Sequence, residues 1–350
     1  MKIVFVLPDM AGGGTERVVS LLADEYVSRG YQVSIMLFAG NQVAYPLDER
    51  IDVVHTGDTS GGNPLIRIKR LIAMRRYYKQ NAGCTVFAFS AMGVVFSVIA
   101  AAGIPHGMLV SERNDPGKYE HQKIRNWAYG KADKLVLQTE DMKKCFPESI
   151  RSKSAVIPNP VPQNLPEPYQ GVRKKRVVSV ARLEKQKNHR LLIEAFAEFL
   201  KAFPEYELHI FGIGELEEAL KAQVLGLQLE DKIIFRGFSA NVREEILDSA
   251  MFVLSSDYEG ISNSMIEALA MGIPVISTDC PVGGSRAYIE NESSGLLVPV
   301  GDRTALCNAM KRIAADEKLA QKLSDNAVKI RETYALSKIA DRFLKEAGIS

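Results

Sequence analysis

Cysteine is sparse in this 350-residue chain, and the four present (Cys84, Cys145, Cys280 and Cys307) are far apart, with no CxxC and no histidine close by. That pattern builds neither a disulfide framework nor a zinc site, and it fits a reducing cytoplasm. No low-complexity tract breaks an ordinary globular composition of 46% apolar and 25% charged residues, with 26 Gly and 15 Pro. An excess of either charge is also missing, and a net charge of +2 argues against a dedicated nucleic-acid binder. The opening MKIVFVLPDMAGGG has too short an apolar core for a signal peptide and no cleavage-type end. The length favours two domains, each able to bury its own core.

One stretch does lack charge for long enough to span a bilayer. From Cys84 to Pro105 no Asp, Glu, Lys or Arg occurs. Gly93 and the break at Gly103-Ile104-Pro105 divide it into strand, helix and strand, so a buried βαβ unit is expected instead. The same rhythm runs along the chain. KIVFVL (2–7), a glycine turn, a helix from Thr15 to Gly30 and YQVSIMLF form a first βαβ unit. Strands at 52–55, 84–89, 107–110, 134–138 and 153–157 alternate with helices at 64–80, 92–102, 119–130 and 140–146. IPNPVPQNLPEP then places five prolines in twelve residues, which marks an interdomain linker. A second series begins at KRVVSVAR, with strands near 176–181, 206–211, 232–235, 250–254, 274–277 and 295–298, and helices at 316–332 and 336–347. Two doubly wound α/β sheets are predicted, with ligand at the carboxyl ends of both sets of strands.

Charge is unevenly shared: residues 1–160 carry 20 Lys+Arg against 15 Asp+Glu, and 161–350 carry 24 against 27. The segment 64–80, PLIRIKRLIAMRRYYKQ, holds six basic side chains (Arg67, Lys69, Arg70, Arg75, Arg76, Lys79) and no acidic one. Leu65, Ile68, Leu71, Ile72 and Tyr78 supply apolar partners. Such a helix suits an anionic membrane surface or a lipid-pyrophosphate head group, and a solvated outer helix of the sheet reads the same way.

Four places could carry chemistry. In 259–278, EGISNSMIEALAMGIPVIST, Ser262 or Asn263 caps a helix that ends near Gly272, with Met265, Ile266, Leu269 and Ala270 on one face. Glu267 leaves on the other face, and Glu259 lies eight residues earlier on the loop. Between them a helix N-terminus offers free N–H groups to phosphate. Carboxylates for sugar hydroxyls beside amides for phosphate suggest a nucleotide-sugar site; a solvated glutamate pair is the plainer alternative. In VARLEKQKN (180–188), Arg182 and Lys187 follow a strand and could clamp a pyrophosphate. In FGIGE (211–215), Gly212 and Gly214 let bare backbone approach a base or ribose. After the first strand, Gly12, Gly13 and Gly14 could meet a phosphate or a glycosidic oxygen. GxGxxG is absent there, and no acidic residue closes the second strand, so a dinucleotide site is poorly supported.

Taken in order, these motifs resemble the retaining glycosyltransferases of family 4, which have the two-Rossmann GT-B fold. The resemblance runs nearly end to end, through Gly12–Gly14, IPNPV, VARLEKQKN, FGIGE, FRGF (235–238) and EGISNSMIEALAMGIPVIST. It implies an acceptor domain at 1–160, a donor domain at 161–332, and a last helix from about 333 that returns to the first domain. Glu259 and Glu267 stand at the family's Glu-x7-Glu spacing, which implies that Glu267 binds the donor's ribose and Glu259 lies against the sugar. Arg182 and Lys187 would hold the pyrophosphate, helped by the amides of Gly260, Ile261 and Ser262, with Gly13 and Gly14 closing from the other domain. One departure stands out. Many relatives have a histidine where this chain has Arg113, in Ser111-Glu112-Arg113-Asn114-Asp115. Arginine is no proton acceptor at neutral pH, so Arg113 would bind or stabilise charge near the donor sugar, or pair with Asp115 or Glu112.

The family implies transfer with retained anomeric configuration. No Asp-x-Asp follows a strand, which accords with cations and a helix N-terminus in place of a metal, and no other cofactor is expected. The expected donor is a UDP-sugar carrying a hexose or N-acetylhexosamine. The expected acceptor is a glycan on a polyprenyl diphosphate, met in the cytoplasm at the inner face of the plasma membrane. A GT-B nucleotide-sugar epimerase, a nicotinamide-dependent oxidoreductase and a non-catalytic sugar-binding protein are the competing readings.

Overall fold

The computed structural model, which describes residues 1–56 and 63–349, contains two parallel sheets, each in its own unit. The first unit comprises Met1–Pro160 with Leu336–Ser350, the second Val161–Ala335.

In the first unit the strands are β1 (Lys2–Leu7), β2 (Gln32–Leu37), β3 (Asp52–His55), β4 (Thr85–Ala88), β5 (Gly107–Ser111), β6 (Lys134–Leu137) and β7 (Ser154–Val156). Their order is β3-β2-β1-β4-β5-β6-β7. Central β1 has Ile3 to Leu7 fully buried, as a strand with helices on both faces requires. The helices are α1 (Gly14–Ser28), α2 (Pro64–Gln80), α3 (Ala91–Ala100), α4 (Gln122–Lys131), α5 (Glu140–Lys143) and α6 (Glu148–Arg151). The uncharged stretch 84–105 resolves into β4, α3 and the approach to β5. Among the described residues no helix is long and apolar enough to cross a membrane.

Helix α2 spans its expected residues, 64–80. Arg70, Met74 and Tyr78 are buried, and the Tyr78 hydroxyl meets Ser97 Oγ at 2.9 Å. Leu65, Ile68 and Ile72 are exposed. Two of the six basic side chains are taken into the fold. Arg70 is 6% exposed, and Arg75 donates to the carbonyls of Ala100 (3.0 Å) and Ala102 (2.9 Å).

The second unit holds β8 (Lys174–Val180), β9 (Glu207–Phe211), β10 (Ile233–Gly237), β11 (Ser249–Leu254), β12 (Val275–Thr278) and β13 (Leu296–Val298), with helices α7 (His189–Leu200), α8 (Glu217–Gly226), α9 (Val242–Ile246), α10 (Asn263–Ala270), α11 (Arg303–Ala315), α12 (Glu317–Ala327) and α13 (Ile330–Thr333). The order β10-β9-β8-β11-β12-β13 reverses between β8 and β11, so the loops after those strands flank the crevice where doubly wound sheets take ligands.

The proline-rich stretch is anchored at both ends. Asn159 accepts from Gln138 Nε2 (2.7 Å) in the first unit, whereas Val161 and Leu165 are buried in the core of the second. Val161 N–H donates to the Tyr334 carbonyl at 2.8 Å, so outgoing and returning segments are paired. The last helix, α14 (Leu336–Glu346), belongs to the first unit. The Tyr26 hydroxyl donates to the Ala340 carbonyl (3.1 Å), and fully buried Phe343 lies against Phe87 and Phe89. All four cysteines are free.

Candidate active site

In the second unit the segment after β8 and the segment after β11 are stitched together. Asp257 N–H donates to the Gln186 carbonyl (2.9 Å), Gln186 Nε2 to the Tyr258 carbonyl (2.9 Å), and Asn188 Nδ2 to Asp257 Oδ1 (2.6 Å). Ser255 Oγ donates to the Lys187 carbonyl at 2.9 Å. Asn188 adopts a left-handed φ of 44° and caps α7 through its side chain, which accepts from Leu191 N–H (3.1 Å). This corner sets Lys187 facing Glu259. The two form an ion pair, and Ser256 Oγ donates to the same carboxylate at 3.3 Å. Both charged side chains are nearly buried, at 11% and 13% exposed.

His189, next in the chain, is 2% exposed, and its ring nitrogens meet no hydrogen-bond partner among the described residues. Burial, with the Lys187 cation beside it, lowers its pKa from 6.5 to about 4.

Helix α10 follows the Glu259 loop. Ser262 is its N-cap, accepting from Met265 N–H at 3.4 Å. Met265, Ile266, Leu269 and Ala270 are buried, and Glu267 lies on the other side, as the helical period requires. The N–H groups of Gly260 and Ile261 find no acceptor among the described residues, although both residues are buried. They are available to an anion. A Cβ at Gly284 would run into the Gly260 carbonyl, so this loop is packed directly on backbone.

Glu267 is not a solitary carboxylate. Arg243, from α9, grips it with two donors, Nε to Oε2 at 3.1 Å and Nη2 to Oε1. Sequence reasoning missed Arg243, because VREE on a polar turn carries no motif. Only the approach of α9 to α10 reveals it.

Arg182 and Lys187 were to act as a pair of fixed cations. Lys187 is fixed, but against Glu259, while Arg182 is 65% exposed and pairs with Glu184 at 2.8 Å. Each cation thus already has a carboxylate, because the segment that supplies the charge also carries or faces an acid. Gly212 and Gly214 were to open backbone to a ligand. On the side where a side chain would stand, their space is filled by the 181–183 backbone: a Cβ at Gly212 (φ +134°) would strike the Ala181 carbonyl, and one at Gly214 the Leu183 carbonyl. Leu183 N–H donates to the Ile213 carbonyl at 3.0 Å across the same contact. Glycine there lets two loops of the unit touch. Beside them opens a depression of about 250 Å³, lined by Glu184, Lys185, Gln186, Glu215 and Tyr258.

In the first unit, Gly13 is the N-cap of α1 and Gly14 its first residue. The Tyr45 hydroxyl holds the Gly12 and Gly13 carbonyls at 3.0 and 3.1 Å, and the Glu16 carboxylate stands against Gly13. Arg113 donates through Nη1 to Asn159 Oδ1 (3.1 Å), with its guanidinium over Phe89 and Phe343. Glu112 accepts from the Tyr129 hydroxyl (2.8 Å), and Asp115 from Gly117 N–H (2.8 Å).

Two parallel-sheet α/β units of these strand orders are those of the GT-B fold. Likeness to solved structures agrees: HepE of Anabaena, in complex with UDP, has a TM-score of 0.84 at 18% identity over 99% of this chain and 100% of that one. An S. aureus TarM variant, in complex with fondaparinux, α-GlcNAc-glycerol and UDP, has a TM-score of 0.81 at 14% identity over 99% of both. Residues 12–165 match the model of Glycosyltransferase Family 4, and residues 166–330 that of Glycosyl transferases group 1. The chain belongs to the family 4 type of glycosyltransferase. It is also similar, 28% identical over 98% of each chain, to the N-acetylgalactosamine-N,N'-diacetylbacillosaminyl-diphospho-undecaprenol 4-alpha-N-acetylgalactosaminyltransferase of Campylobacter jejuni.

Proposed function

We propose that this glycosyltransferase moves a hexose or N-acetylhexosamine from a UDP-sugar to a lipid-linked glycan, without a metal and with the anomeric configuration kept. The observation that carries the reading is the meeting of Lys187 and Glu259 beside the open N–H groups that lead into α10, with Glu267 on that helix. Lys187 and the Gly260 and Ile261 amides take the pyrophosphate, joined by Arg182 once it leaves Glu184. Glu259 addresses the sugar and Glu267 the ribose. As the bond between the anomeric carbon and the phosphate oxygen breaks, these donors meet the growing negative charge. The acceptor hydroxyl attacks on the same face and passes its proton to the departing phosphate oxygen, giving glycoside and UDP. UDP in the HepE and TarM structures supports the donor, and the diphospho-undecaprenol acceptor in the name of the C. jejuni relative supports the lipid.

The test is UDP release from UDP-sugars, with and without EDTA, and the anomer read by NMR. Lys187→Ala is expected to lower kcat/KM about a hundredfold. If neither Lys187→Ala nor Glu267→Ala changes transfer, this site assignment is wrong.

The acceptor's lipid would be met through the outer side of α2. At about 100° per residue, Leu65, Ile68, Lys69, Ile72, Arg76 and Lys79 share one face of that helix. All six are exposed, so apolar side chains stand among cations, a pairing that suits an anionic bilayer. Neutralising Lys69, Arg76 and Lys79 together is expected to abolish sedimentation with phosphatidylglycerol vesicles while leaving turnover of a soluble acceptor intact. Unchanged sedimentation would remove the membrane from the proposal.

A further inference from the structure

Arg243 lies outside every motif that marks the donor site, yet it makes the most specific contact to one of its carboxylates. Its Nε and Nη2 each take one oxygen of Glu267, and its Nη1 reaches the Asn164 carbonyl at 3.4 Å. The two side chains are 21% and 15% exposed, so water competes weakly for either. A two-pronged guanidinium fixes the plane of a carboxylate as well as its position, which an ammonium cannot do. Each oxygen keeps a second lone pair. With the plane locked, the remaining pairs point in set directions, one to each side of the carboxylate, and an oxygen so fixed can accept from a ring hydroxyl. An unheld glutamate would have to surrender side-chain freedom on binding.

We propose that Arg243 is a positioning residue that pre-orders Glu267 to accept from a hydroxyl of the donor's ribose, so that recognition of a ribonucleotide depends on a side chain that need not touch it. The proposal rests on the assignment of Glu267 to the ribose. It makes α9 part of the nucleotide specificity of this enzyme, through Arg243 and its tie to residue 164.

The experiment compares UDP with 2′,3′-dideoxyuridine diphosphate by calorimetric titration of the full-length protein. The wild type is expected to prefer UDP by about tenfold or more, and Glu267→Ala to erase that preference. Arg243→Gln is expected to reduce the preference about tenfold by weakening UDP alone, with affinity for the dideoxy nucleotide kept. Arg243→Lys, which keeps the charge but not the fork, should fall between and serves if the glutamine variant does not fold. Equal weakening of both nucleotides would assign Arg243 a purely structural role and overturn the proposal. Tighter UDP binding by Arg243→Gln would overturn it too, since Arg243 would then be competing with the ribose. If Glu267→Ala keeps the wild-type preference, the ribose assignment itself falls, and the role of Arg243 with it.

Discussion

Lys187 and Glu259 hold one another in a nearly dry place, and that has consequences for stability apart from chemistry. Removing one partner leaves the other charge buried, at a cost of about 3–5 kcal/mol, whereas removing both is far milder. Lys187→Met and Glu259→Gln should therefore each lower the urea midpoint more than the double variant does. Additive losses would show that the pair is not coupled. His189 beside them gives a pH dependence. Its proton affinity drops on folding, from 6.5 to about 4, so the unfolded chain binds the extra proton. The stability it confers is complete above pH 6.5 and is lost as pH falls toward 4, on the order of 3 kcal/mol. Relative to His189→Leu, the wild type should weaken by that amount between pH 7 and pH 4 in urea titrations at each pH. A constant difference would place the imidazole in contact with water.

At the scale of elements, Gly212 sits where two loops touch, at φ +134° against the Ala181 carbonyl. Gly212→Ala should cost at least about 2 kcal/mol and weaken UDP binding, because the 181–188 segment that carries Arg182 and Lys187 must shift. Unchanged melting would mean that the loop relaxes freely. How the elements read from sequence follows the same physics. Strands such as β1 and helices such as α1 were legible because burial imposes a period on apolar side chains. Helix α10 was legible to within a residue of its cap, Ser262 or Asn263, since the apolar face and Gly272 agree with either. The inward face of α2 was not, because what it buries is decided by α3 through Ser97, and Arg70 and Arg75 are hidden or engaged by neighbours distant in sequence. Arg243 was illegible for the same reason. Its meaning lies in a carboxylate 24 residues away. The glycines of FGIGE were visible as glycines, but their reason, loop against loop, needs three dimensions.

For the whole molecule, the chain enters the first unit twice. Phe343 on α14 is fully buried against Phe87 and Phe89, so Phe343→Ala should cost the first unit about 3–5 kcal/mol. The protein's one tryptophan, Trp127 on α4, belongs to that unit, so its fluorescence reports on it alone, while circular dichroism reports on both. In Phe343→Ala the fluorescence transition is expected at lower urea, with a second dichroism transition unmoved. A shift of both together would show that the two units unfold as one.

The return of the chain at Leu336 also sets an order of birth. The second unit has all its residues once Ala335 has been made, whereas the first, begun at Met1, still lacks the helix that covers Phe87 and Phe89. During synthesis the unit that starts last is therefore the one that can finish first. The earlier unit must wait, with an aromatic surface uncovered, until Leu336–Glu346 has left the ribosome.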